Sequence, residues 1–164
     1  MTHDATARAW AYLSRVAEPP CAALAGLVRS VGPVEAAERI RRGEVSAGLA
    51  EYTIARREID CAADDLDLLH RRGGRLVTPD DDEWPMLAFT AFDGAAIRER
   101  QRGGLPLALW VTGPMRLDDA AQRAAAVVGT RAATAYGQHV AADISAGLAE
   151  SGVTVISGGA YGID

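Results

Sequence analysis

Two short glycine-containing stretches near residue 164 carry the residue types best suited to holding an anion. Gly129-Thr130-Arg131 follows one apolar run and Ser157-Gly158-Gly159 follows another. Glycine lets the backbone turn sharply and lets a ligand approach with no Cβ in the way. Thr130 adds a hydroxyl and an amide. Arg131 adds a planar fork of donors that matches phosphate geometry. Thr134 stands where a helix N-cap is expected, and the free amides and positive dipole end of that helix would face the same anion.

The common anion-binding chemistries fail on residues. A dinucleotide loop needs GxGxxG, but the glycine after Gly129 is Gly137. It also needs an acidic residue after the second strand, where Ser157-Gly158-Gly159 stands. A hydrolase elbow, GxSxG, would require glycine in place of Val155. The chain has no lysine, which excludes a Walker A loop and Schiff-base or pyridoxal-phosphate catalysis. No cofactor is therefore expected.

Metal chemistry is no better supported. His3, His70 and His139 fall in no ligand spacing, and Cys21 and Cys61 form no CxxC pair, so both cysteines are expected to be small buried hydrophobes. The run Asp80-Asp81-Asp82-Glu83 reads as a solvated turn that caps a short helix. The net charge is -5, and Arg131 is the sole basic residue between 124 and 164. A polyanion bound here must be held mainly by backbone amides and a few placed arginines.

The elements that would position these groups follow from periodicity. Residues 1–72 read as helical. Helices are expected over Ala5–Val16, with Ala9, Tyr12, Leu13 and Val16 inward, and over Cys21–Val31, with Leu24, Leu27, Val28 and Val31 inward. Pro33–Arg42 should bury Val34, Ala37 and Ile40, and a longer helix should run from about Ser46 to Arg72. From Arg75 the pattern changes. Arg75–Thr78 and Leu107–Val111 read as short strands, and residues 88–104 as a surface connection. Ala124–Val128 has the continuous apolar character of a parallel strand covered on both faces. A helix from Thr134 to about Ser151 then places Tyr136, Val140, Ile144 and Leu148 on one apolar face, Gly152 ends it, and Val153–Ile156 returns as a strand. Both glycine loops would lie at the same edge of a parallel sheet, where open α/β folds bind ligands.

VVGTRAATAYG and VISGGAYGID together resemble the DprA/Smf family of bacterial DNA-processing proteins. Gly129, Thr130, Arg131, Thr134, Tyr136, Gly137, Ser157, Gly158, Ala160, Gly162, Ile163 and Asp164 match its two spaced motifs. The segments TPDDDEWP and PLALWVTGP look like its lead-in strands, and Leu27–Ile40 resembles a helix-hairpin-helix motif with Ser30 in place of the first glycine. An ordinary pair of packed helices remains the alternative for that hairpin.

The resemblance implies an α/β chain. A helical SAM/helix-hairpin-helix-like domain (1–72) would precede the incomplete first part of an extended Rossmann-like parallel sheet (73–164). It implies sequence-independent single-stranded DNA binding, delivery of that DNA to a RecA-type recombinase in natural transformation, homodimerisation of the full-length protein, and no catalysis. The DNA phosphate-binding set would be Gly129, Thr130, Arg131, Thr134, Tyr136, Gly137, Ser157, Gly158 and Gly159.

A phosphoribohydrolase of the lysine-decarboxylase-like Rossmann group is the enzymatic alternative. Its PGGxGTxxE loop is replaced here by Gly158-Gly159-Ala160-Tyr161-Gly162-Ile163-Asp164. A structural unit with no ligand is a third reading. No apolar run approaches the roughly 18 residues needed to cross a bilayer, and Met1–Asp4 does not open a signal peptide. No membrane association and a cytoplasmic location are expected. Gly162-Ile163-Asp164 reads as the opening of a further helix, so residues 1–164 alone are expected to be aggregation-prone and to bind DNA poorly.

Overall fold

A computed structural model describes residues 4–90 and 104–164. Their architecture is mixed α/β, gathered into two compact units, Met1–Pro114 and Met115–Asp164. The expected connection over 88–104 falls largely outside the described residues, as does His3.

The first unit is built on helices α1 (Ala5–Val16), α2 (Ala22–Val31) and α3 (Pro33–Arg42). Asp4 caps α1 by accepting from the Ala7 amide at 2.6 Å. Ala9, Tyr12, Leu13 and Val16 are all buried, as their spacing requires. On α2, Leu24 and Val28 are buried, while Leu27 and Val31 pack at the core margin. Gly32 and Gly43 adopt positive φ (79° and 73°) and bracket α3, which opens on Pro33. Ala37 and Ile40 are buried, but Val34 is 36 % exposed and Ala36 takes the inward position. The turn of α3 against α1 favours the smaller residue there.

The long helix expected from Ser46 to Arg72 does not form. Two helices replace it, α4 (Ala47–Thr53) and α5 (Ala62–Arg71), joined by a run of turns. Ser46 caps α4, and Thr53 ends it, its buried hydroxyl donating back to the Leu49 carbonyl at 3.0 Å. Asp60 then accepts from the Ala62 amide at 3.1 Å and starts α5. The Tyr12 hydroxyl donates to the Arg57 carbonyl at 2.7 Å, tying the turns to α1. Breaking the helix lets both Leu49 and Leu66 reach one core, which a straight rod could not do.

Strands β1 (Gly74–Val77) and β2 (Leu109–Thr112) pair antiparallel, with Leu76 opposite Trp110. The acidic run after β1 forms a turn. Asp81 accepts from both the amide and the hydroxyl of Thr78, and Glu83 pairs with Arg75 through two bonds of 2.5 Å. That pairing raises the Arg75 pKa above its ordinary value. Residues 86–90 are helical. Cys21 and Cys61 are free and half-buried rather than buried. Cys21 lies at the mouth of α2 and packs against the core from its margin.

The second unit contains α6 (Leu117–Gln122), β3 (Ala124–Ala126), α7 (Ala135–Glu150) and β4 (Thr154–Ile156). β3 and β4 pair in parallel, with Ala124 opposite Thr154 and Ala126 opposite Ile156. The expectation of strands covered on both faces is not met here. Val128 is 68 % exposed and Ile156 54 %. A two-stranded pair with one long helix against it has one face sheltered and one open. The packing face of α7 also differs from expectation, since Tyr136 and Ile144 are 78 % and 53 % exposed. The half-buried positions are Gly137, Val140, Ala141, Ser145 and Leu148. Val140 and Leu148 thus face the strands as expected, with small residues beside them that let the helix backbone approach closely, while Tyr136 and Ile144 turn outward.

Candidate functional site

Parallel pairing of β3 and β4 brings both strand ends to one edge, so the loop after β3 meets the loop after β4. Contacts between the loops are direct. The Ile163 amide donates to the Thr130 carbonyl at 3.2 Å, and the Asp164 carboxylate accepts from the Gly129 amide at 3.1 Å. The Ser157 hydroxyl lies 2.9 Å from the Val127 carbonyl and 3.2 Å from that of Asp164. Its single proton is shared between β3 and the end of the second loop.

The glycines are explained by these contacts. A Cβ on Gly129 would stand 2.7 Å from Ile163 Cβ. One on Gly162 would stand 2.1 Å from the Thr130 carbonyl oxygen and 2.8 Å from Arg131 Cα, at a φ of 109°. Gly129 has an ordinary negative φ, so close approach and not backbone conformation demands glycine there. The approaching group is Ile163. Gly137 is half-buried, and its missing Cβ would lie 3.3 Å from Ile163 Cδ1.

Several donors of the loops are satisfied within the chain. Thr134 caps α7 by accepting from the Gly137 amide at 3.1 Å, as its position predicts. Thr130 Oγ1 accepts from the Ala132 amide at 3.2 Å. Other donors remain open. Among the described residues, the amides of Thr130, Arg131, Ser157, Gly158, Gly159 and Ala160 make no hydrogen bond within the chain. The Arg131 side chain is exposed and has no ion-pair partner there. Gly159 adopts positive φ (64°), a conformation that favours glycine.

The structure thus places Gly129, Thr130 and Arg131 beside Ser157, Gly158 and Gly159 at one strand edge, with Thr134 and Gly137 at the start of α7. Tyr136 is in the same helical turn, its ring exposed to solvent. A recess of about 250 Å³ lies behind the loops, walled by Val127, Gln138, Ser145, Val155 and Asp164. Residue-type reasoning overlooked Gly162, Ile163 and Asp164 as organisers of the site. Their signal was an acidic residue closing a glycine loop in a stretch with one basic residue.

A strand–loop–helix–strand unit with unbonded loop amides at the carboxyl ends of its parallel strands makes this an α/β protein. Residues 75–164 match the family model described as DNA recombination-mediator protein A, and the chain belongs to that family. It is 74 % identical over 161 residues to proteins described as DNA processing protein DprA in two strains of Mycobacterium tuberculosis. The aligned region covers 98 % of this chain and 41 % of each relative, so the chain spans about two fifths of the length of the curated relatives it matches.

Proposed function

We propose that the edge formed by the two glycine loops grips the sugar-phosphate backbone of single-stranded DNA without reading its sequence. The observation carrying this reading is the convergence of an unpaired, exposed Arg131 with open amides from both loops. Backbone amides and a guanidinium recognise phosphate whatever base is attached. Gly129, Thr134 and Gly137 shape the edge, Thr130, Arg131, Ser157, Gly158 and Gly159 supply donors, and Tyr136 offers a ring for base stacking.

In the full-length protein this grip serves delivery of DNA to a RecA-type recombinase during DNA uptake, with the protein acting as a cytoplasmic homodimer and not as an enzyme. Membership of a recombination-mediator family supports that role. No helix among the described residues is long and apolar enough to cross a membrane. The family match opens at residue 75, which supports a division between a SAM/helix-hairpin-helix-like module at 1–72 and a Rossmann-like DNA-binding region from 73 onward. The parallel β3–α7–β4 unit is the local pattern on which the Rossmann-like assignment rests.

The test compares full-length protein with its Arg131→Ala variant in single-stranded DNA binding. Unchanged affinity would sink the reading. A parallel incubation with nucleoside monophosphates checks the phosphoribohydrolase alternative, which requires release of free base.

A further inference from the structure

We infer that Asp164 is the positioning residue that locks the two glycine loops together and decides which donors are left for phosphate; this rests on the DNA-gripping function proposed above. Its carboxylate lies between the loops. One oxygen accepts from the Gly129 amide at 3.1 Å, and the other lies 3.0 Å from where a Cβ on Gly158 would stand. The Asp164 carbonyl receives the Ser157 hydroxyl at 3.2 Å, and the neighbouring Ile163 amide bonds to Thr130 at 3.2 Å. The residue thereby reaches both loops across 35 positions of sequence.

Two consequences follow from elementary electrostatics. The Gly129 amide, the first donor after β3, is already taken by a carboxylate and does not serve the ligand. A phosphate is directed instead to the Thr130 and Arg131 amides, the Arg131 guanidinium and the open amides of Ser157–Ala160. The lock requires an acceptor at this position more than a charge, because the Gly129 amide is neutral. An asparagine should replace it, whereas alanine should not.

The experiment uses the full-length protein with Asp164→Asn and Asp164→Ala, a fluorescent oligo-dT probe, and hydrogen exchange of the peptide containing Gly129. Asp164→Asn should bind DNA within about threefold of wild type and keep the Gly129 peptide protected. Asp164→Ala should lose roughly tenfold in affinity, the size of one positioning hydrogen bond, and lose that protection with the circular dichroism spectrum intact. If Asp164→Ala binds as well as wild type or more tightly, the carboxylate competes with phosphate and does not position the loops. If Asp164→Asn is as weak as Asp164→Ala, charge matters and the lock is wrong. Should Asp164→Ala fail to fold, protection and affinity retained in Asp164→Asn support the lock, and their loss overturns it. Exchange reads the loops without DNA, so a failure of the lock is distinguishable from a failure of DNA binding at Arg131.

Discussion

At the scale of single residues, Arg131 and Gly162 have opposite kinds of importance. Arg131 makes no ion pair among the described residues, so its removal should leave stability unchanged and affect only the ligand. In the full-length protein, Arg131→Ala should weaken single-stranded DNA binding by roughly tenfold or more, the usual worth of charge-assisted phosphate bonds. The slope of log affinity against log salt should also flatten by about one, because one counterion-releasing contact is gone. Titrations at several salt concentrations measure both. Gly162 faces the reverse situation. Its φ of 109° and the 2.1 Å gap to the Thr130 oxygen leave no room for a side chain. Gly162→Ala should destabilise residues 115–164 by at least roughly 1–3 kcal/mol and separate the loops, measured by denaturant unfolding. Arg131 was legible in the sequence as the residue type suited to phosphate, and the structure leaves its side chain exposed. The reason for Gly129 was not, since Ile163 fills its space from 34 residues away, and only folding reveals that neighbour.

At the scale of elements, the first three helices were legible at both ends, closing at Val16, Val31 and Arg42 as the periodicity and the following breakers require. Pro33 and Thr134 mark starts that the sequence indicated, through a fixed φ and a local capping bond. Thr134→Ala should therefore cost about 1 kcal/mol in the stability of the second unit, read as a lowered unfolding midpoint. The break between α4 and α5 was not legible, because Ile54–Asp60 contains neither glycine nor proline. Long-range bonds hold the turns there, among them those of the Tyr12 hydroxyl to the Arg57 carbonyl and of Arg41 to Asp60. Burial holds the Tyr12 pKa above its ordinary value, with Asp60 adding to the rise and Arg41 and Arg57 opposing it. A folded-state pKa above the unfolded one gives stability that is complete below the unfolded value, near about 10, and lost as pH rises through the folded value. The first unit should therefore lose stability above about pH 10, and Tyr12→Phe should remove that alkaline limb. Thermal unfolding from pH 8 upward tests the sign.

At the scale of the whole molecule, net charge and exposed apolar area set behaviour in solution. Residues 1–164 carry a net charge of -5, so the proposed DNA grip would rest on local contacts and not on an overall attraction. Affinity of the full-length protein should fall steeply as salt rises. Residues 1–164 on their own expose Val128, Ile144 and Ile156 on the second unit. Such a surface favours self-association, so sedimentation should show concentration-dependent oligomers; a monomer at all concentrations would contradict this. The sequence by itself determined the α/β class, the order of strands and helices around the glycine loops and the Thr134 cap of α7. Those depend on residue types and on neighbours within a few positions. Tertiary structure alone decided where the long helix breaks, which face of α7 packs inward and which loop amides stay open. Each of those is settled by contacts between residues distant in the chain, and the bond from Gly129 to Asp164 is the clearest instance.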